Sequence, residues 1–327
     1  MPNYNHSKVI VRAVESLQCQ TKPVDEIIIV DDGSVDNSVA VIEGLQARDP
    51  RIQFVRHERN RGAVTAINSG LAKASGTYVH FAAADDVFRP ELMATTFGLL
   101  EANKAAALAC GEVETFQAVS RMSLGYRPPA RPSFGPRYFS AGETKKLLKR
   151  IDNFILTAAT LFRRADVLSV GGFDEALGSF TDGYLVRQLA LKHGFCYTPQ
   201  VLAEWWIDDK GYSRTSIHDP NHALRLLQDI CARQRSDPTF PDWYPDLFAR
   251  RWRFAVARIA AQSEPPSYGK ICEVANDPAL ETFAKLVRLL PSGIARVLVL
   301  AAMAIRWHPT SYSALLRTWT ARRLKIQ

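Results

Sequence analysis

Between residues 8 and 83 short apolar runs alternate with amphipathic stretches, and this rhythm constrains the fold more than any other feature of the 327-residue chain. Residues 8–20 have helical periodicity, 26–30 read as a strand, 36–47 as a helix, 52–55 as a strand, 63–74 as a helix and 77–83 as a strand. Such alternation gives a mostly parallel, doubly wound α/β sheet whose ligands gather outside the carboxyl ends of its strands. Two of those ends carry carboxylate pairs, Asp31-Asp32 after IIIV and Asp85-Asp86 after YVHFAAA. Adjacent acids repel, so each pair calls for a cation or a polar ligand. Two pairs in a row of βα units suggest a site for a sugar nucleotide and a divalent metal.

At 47% hydrophobic residues the chain can bury one large α/β domain with an appendage, or two modest domains. Five cysteines, odd in number and without CxxC spacing, argue against a disulfide framework or a zinc site and fit a reducing compartment. No signal-peptide pattern opens the chain, and no apolar run is long enough to span a bilayer. The net charge of +8 is uneven: residues 1–215 carry 25 basic and 24 acidic side chains, residues 216–327 carry 16 and 9. After Glu281 there is no acid, whereas Lys285, Arg288, Arg296, Arg306, Arg317, Arg322, Arg323 and Lys325 alternate with apolar runs. Helices of that composition suit an anionic membrane surface, so residues 282–327 are expected to meet one from the cytoplasmic side; nothing points to nucleic acid.

Further along, Pro90 opens a helix that runs to about Asn103, and a strand follows near 107–113. Residues 125–142, GYRPPARPSFGPRYFSAG, read as an irregular loop over the site, either an acceptor-binding flap or a plain connector. A helix at 143–150, an apolar segment at 154–163, the turn Gly171-Gly172-Phe173, a helix at 183–193 and a strand at 195–203 complete residues 1–215 as one domain. Residues 216–327 read as a helical region punctuated by prolines. Met1 to Asn5 looks like the turn after a first strand, so either the true start lies upstream of Met1 or the sheet tolerates a gap.

Four segments, MPNYNHS with VESLQCQT, DEIIIVDDGSVDNS, NRGAVTAINSGLAKASGTYVHFAAADD, and GGFDE followed by TDGYLVRQLALKHG, stand in the order and spacing of a known family. Over residues 1–215 the chain resembles the family 2 glycosyltransferases of the GT-A fold. The resemblance implies that Pro2, Asn3, Tyr4 and Asn5 flank a nucleotide and that Asp32 accepts from a base imide or ribose hydroxyl. A capped turn is the alternative account of Asp31-Asp32. Asp86 would ligate Mg²⁺ or Mn²⁺, with Asp85 on the ribose or a metal-bound water, because hard cations need one or two carboxylates plus substrate phosphates. Arg61, at a helix start, would meet the diphosphate or remain a solvated charge. Asn68 reads as structural. Asp182 matches the second acid of an ED-type motif and would be the general base of an inverting transfer, although it also suits an N-cap.

Departures from the family pattern bear on function. Thr181 replaces the first acid of that motif, and AEWWIDDKGYSRTS offers Trp205, Trp206, Asp208 and Asp209 where relatives often carry a histidine; His218 is the nearest one. The QxxRW signature of processive synthases is missing, which favours addition of a single sugar. The resemblance thus implies transfer from a nucleotide-sugar donor, UDP-linked, to a glycan or lipid-linked acceptor of the cell envelope or surface polysaccharide. A non-catalytic nucleotide-sugar or glycan binding protein of the same fold is the alternative. A nucleotidyltransferase would need a Gly-rich phosphate loop near the start, which the chain lacks.

Overall fold

A computed structural model describes residues 1–207, 220–262, 268–275, 277–307 and 310–324. Asp208, Asp209 and His218 lie outside the described residues. The chain forms two compact units, one of residues 1–147, 153–209 and 317–327, the other of residues 148–152 and 210–316.

The first unit begins as the apolar rhythm dictates. Strand β1 (Pro2–Asn3) lies parallel to β2 (Ile27–Asp31), and β2 lies parallel to β3 (Ile52–Arg56). Helices α1 (Ile10–Gln18), α2 (Ser38–Arg48) and α3 (Ala63–Lys73) alternate with them. In α1 the buried residues Ile10, Ala13, Val14 and Leu17 recur at i, i+3, i+4 and i+7, so one stripe faces the sheet and the other faces water. Ile29 and Val30 of β2 are fully buried, each side chain stabilising the fold by about 1.5–3 kcal/mol.

A second, mixed sheet carries the order β4 (Tyr78–His80), β9 (Thr160–Arg163), β6 (Leu108–Gln117), β10 (Phe195–Ile207) and β5 (Val87–Phe88). Here β6 and β10 are parallel, whereas β9 runs antiparallel to both β4 and β6. Parallel pairing therefore holds through β3 and gives way to a mixed sheet beyond it. Helices α4 (Leu92–Ala102), α5 (Ala141–Leu148), α6 (Arg164–Ser169) and α7 (Thr181–His193) complete this part.

The Pro-rich segment departs from the irregular loop expected. Its ends are strands: β7 (Ser123–Arg127) pairs with β6, and β8 (Arg137–Phe139) pairs with β10. Between them Arg131 donates from Nε to the buried Glu112 at 2.8 Å, and its backbone N–H donates to the hydroxyl of Thr318. Arg322 donates to the same carboxylate at 3.0 Å and to the carbonyl of Pro128 at 2.7 Å; the Tyr197 hydroxyl donates to it at 2.8 Å. Arg322 is thus spent inside the first unit, which corrects its place among the membrane-facing cations. A buried acid with two cations and a phenol is satisfied; removing one partner would leave charge buried.

The first strand is present as two residues. Below them a cavity of about 540 Å³ opens between β2 and β4, lined by Met1, Pro2, Ile28, Gly70, Val79 and Phe97 among others. Of the residues expected in the site, only Pro2 borders it.

The second unit is helical, with α8 (Pro220–Ser236), α9 (Tyr244–Gln262), α10 (Tyr268–Ala275), α11 (Pro278–Val287) and α12 (Ser292–Trp307); α13 (Tyr312–Arg323) ends in the first unit. Its core joins Val256 and Ala257 of α9, Ile271 and Val274 of α10, Leu280 of α11, and Val299 and Met303 of α12. Asp277 caps α11, its side chain accepting from the N–H groups of Ala279 and Leu280. Among the described residues no helix is long and apolar enough to cross a membrane.

Candidate active site

Topology brings the carboxylates to strand ends. The register His80↔Leu161 makes the carboxyl end of β4, which leads to Asp85-Asp86, the same edge as the entry to β9, where Thr157 sits. Thr157 Oγ1 donates to Asp182 Oδ2 at 3.3 Å. At that edge too, the backbone N–H of Trp206, near the end of β10, donates to Asp86 Oδ1 at 3.2 Å. Asp85-Asp86 and Asp182 thus share one end of the mixed sheet, while Asp31-Asp32 ends β2.

Asp86 is 4% exposed. Burial, and then the neighbouring Asp85 carboxylate, push its carboxyl well above the ordinary range, while the Trp206 N–H and Arg12 pull the other way. A cation against this pair would offset both terms. Among the described residues no three His, Cys, Asp or Glu side chains cluster as ligands, so the protein offers two carboxylates, which fits a hard divalent ion completed by substrate phosphates. Arg12, which the sequence reading passed over, organises this edge. Its guanidinium donates to the carbonyl of Asp85 at 2.9 Å and lies 4.2 Å from the ring centroid of Trp206. Trp206 stacks on Phe116 at 5.0 Å, and Trp205 packs partly buried against the core. A lone arginine in the apolar start of α1, IVRAV, was the available signal.

Asp32 is tied into the protein around it. It is 2% exposed, and its oxygens accept from the backbone N–H groups of Arg61 at 2.9 Å and Gly62 at 2.8 Å and lie 2.7 Å from His57 Nδ1. His57 Nε2 lies 3.1 Å from the hydroxyl of Ser69. The carboxylate thus fixes the loop from β3 to α3 and places the exposed Arg61, a positioning role beside the acceptor role expected toward a nucleoside. Parallel register could have shown His57, since Asp31 pairs with Arg56 and the next residue of each strand follows.

The first residues divide similarly. Pro2 and Asn3 are strand, not loop, and Asn3 is 1% exposed, donating to Asp31 at 2.7 Å and to the Ser34 hydroxyl at 3.2 Å. Asn5, in the left-handed region at φ 58°, accepts from the N–H of Val35 at 2.9 Å and fixes the turn after β2. Of the four, Tyr4 presents a large exposed side chain. Gly33 must be glycine, because at φ +73° an added Cβ would sit 2.6 Å from the backbone of Arg59.

Asp182 lies in the first turn of α7, solvent-accessible yet surrounded by protein on most sides. That desolvation raises its carboxyl, opposed by the Gly183 N–H at 2.6 Å, by Arg187 and by Thr157. A carboxylate with a raised pKa and open access is the form a general base takes. Thr181, where the first acid is missing, is buried, and its hydroxyl has no hydrogen-bond partner among the described residues. Asn68 is structural as expected, its amide bridging the carbonyl and N–H of Phe173 at 2.8 and 3.1 Å.

The profile of glycosyl transferase family 2 matches residues 1–169. This chain belongs to that family. Chondroitin synthase of Escherichia coli is 36% identical over 110 residues, 34% of this chain and 16% of the enzyme. In eight curated relatives the shared stretch spans 16–36% of the relative's length. Among solved structures, residues 1–349 of Staphylococcus aureus TarS in complex with UDP-GlcNAc superpose with a TM-score of 0.61 at 13% identity, covering 95% of this chain and 91% of that one. The Pyrobaculum calidifontis mannosyltransferase PcManGT, in complex with GDP-Man and Mn²⁺, gives 0.58 at 18% identity, covering 100% and 86%. At these identities the likeness establishes the GT-A fold.

Proposed function

We propose that this family 2 member transfers one sugar from a nucleotide-sugar donor, UDP-linked, to an acceptor of the cell envelope or surface polysaccharide, with inversion at the anomeric carbon. The observation that carries this reading is Asp182, an accessible carboxylate with a raised pKa at the sheet end that holds Asp85-Asp86. Asp182 takes the proton of the acceptor hydroxyl as its oxygen bonds to the anomeric carbon. The bond from that carbon to the diphosphate oxygen breaks, and its electron pair leaves with the nucleotide. Arg12 and Trp206 hold the Asp85-Asp86 loop in place, Asp32 and His57 hold the loop that bears Arg61, and Tyr4 gives area to the nucleoside. When bound, a divalent cation at Asp86 and Asp85 would neutralise charge on the diphosphate.

The complexes of TarS with UDP-GlcNAc and of PcManGT with GDP-Man and Mn²⁺ support a nucleotide-sugar donor and a metal, and the match to chondroitin synthase supports a polysaccharide product. A lipid-linked acceptor at the cytoplasmic membrane face accords with the C-terminal charge. The experiment is a thermal-shift panel of UDP-, GDP- and dTDP-sugars with and without Mn²⁺, followed by donor hydrolysis. A UDP-sugar should raise the melting temperature when Mn²⁺ is present, since a ligand of the native state stabilises it by mass action. No shift with any donor contradicts the reading, and binding without hydrolysis favours the binding-protein alternative.

A further inference from the structure

Helix α12 is apolar apart from Ser292, Arg296 and Arg306, and only half of its apolar surface is used by the fold. Ala295, Val299, Met303 and Trp307 face the core of the second unit. On the opposite side Ile294, Val297, Leu298, Ala301 and Ile305 form an exposed stripe at i, i+3, i+4, i+7 and i+11, with Val297 and Ile305 at 65% and 68% exposure. The stripe is about 16 Å long at 1.5 Å per residue. Just before the helix, Leu286, Leu289 and Leu290 are exposed as well. Scattered exposed leucines need no account, but a contiguous stripe does.

Charge selects the occupant. From Thr282 to Leu316, the end of the second unit, there are four cations, Lys285, Arg288, Arg296 and Arg306, and no acid. The acids bordering this helix are already engaged, Glu281 with Lys285 at 2.8 Å and Asp277 with Arg306. Arg288 stays exposed at the rim between α11 and α12. A second copy packed stripe to stripe would bring these cations against their own counterparts, with the neighbouring Glu281 and Asp277 already engaged. An anionic lipid surface meets both demands, taking the apolar stripe below its headgroups and the cations among them.

We propose that the second unit docks on an anionic bilayer through the exposed stripe of α12 and the Leu286–Leu290 turn, with Arg288 among the headgroups. Insertion is interfacial, and α12 lies in the membrane plane. Docking through this face needs no sugar chemistry, so it can fail or hold independently of the proposed transfer.

The test is co-sedimentation with phosphatidylcholine vesicles with and without phosphatidylglycerol. Wild-type protein should bind the anionic vesicles, more weakly as salt rises, and the Val297→Glu/Ile305→Glu variant should lose about ten-fold or more in binding. Both positions are exposed, so its melting temperature and solution donor hydrolysis should match wild type. Arg288→Gln should weaken binding to anionic vesicles and leave the neutral ones unaffected. Equal binding by the double variant, or no vesicle binding by wild type, overturns the proposal. Stripe-dependent dimers in sedimentation equilibrium without vesicle binding overturn it in favour of a second copy.

Discussion

Replacing Asp32 with asparagine removes one acceptor oxygen from a site where both are used. Oδ1 takes the Arg61 N–H and faces His57, and Oδ2 takes the Gly62 N–H. Whichever way the new amide turns, its NH₂ group points at a backbone N–H. The amide is best placed with its NH₂ toward Gly62, whose N–H keeps Asn60 Oδ1 at 3.0 Å as an acceptor; one hydrogen bond is lost, about 0.5–1.5 kcal/mol, and the remaining bonds lose the help of the negative charge, about 1 kcal/mol more. The sum is roughly 1.5–2.5 kcal/mol, which lowers the melting temperature by roughly 3–10 °C in a unit of this size. Scanning fluorimetry of Asp32→Asn without nucleotide reads this directly. A melting temperature within about 1 °C of wild type, together with weaker nucleotide binding, would refute the positioning role and return Asp32 to direct contact with the nucleoside.

Asp86→Ala should abolish the Mn²⁺ dependence of UDP-sugar binding in calorimetry; dependence that survives the substitution removes Asp86 as a ligand. His80, whose Nδ1 lies 2.8 Å from the carbonyl of Thr160, has its pKa lowered to about 4 by burial. The unfolded chain binds the extra proton first, so this contribution is complete above about pH 6.5 and is lost as pH falls toward 4, amounting to about 3 kcal/mol. His80→Gln should therefore flatten the acid side of the stability profile, and an unchanged slope between those pH values would contradict it. Asp182 must be ionised to act, so turnover should fall with acidification at a pH above the ordinary carboxylate range, read from the acid limb of kcat.

The opening βαβ units were legible because Ile27, Ile29, Val30 and Ile52 are buried through contacts their own apolar runs announce. Strand β4 proved shorter than 77–83, since after His80 the chain leaves the sheet and turns toward Asp85. Strands β7 and β8 were hidden because their order comes from pairing with β6 and β10, far away in sequence, and not from local pattern. The same reason hides His57 and Arg12: each matters through a partner more than twenty residues away. Asp182 was legible as a type and a place, yet its environment, open to solvent but hemmed in by protein, required the packing of Thr157 and Arg187. Arg322 looked like a surface cation until Glu112, a buried acid in the middle of β6, claimed it.

The central claim is that Asp182 is the base of a sugar transfer whose donor is held elsewhere in the site. Turnover of a UDP-sugar in the presence of Mn²⁺ by wild type and by Asp182→Asn, measured beside donor affinity, tests it most directly. Asparagine keeps the shape of the side chain and cannot take a proton, so turnover should drop by about 10²–10⁴-fold with donor affinity changed by no more than about three-fold. Turnover equal to wild type in the variant, with the donor still bound, would contradict it.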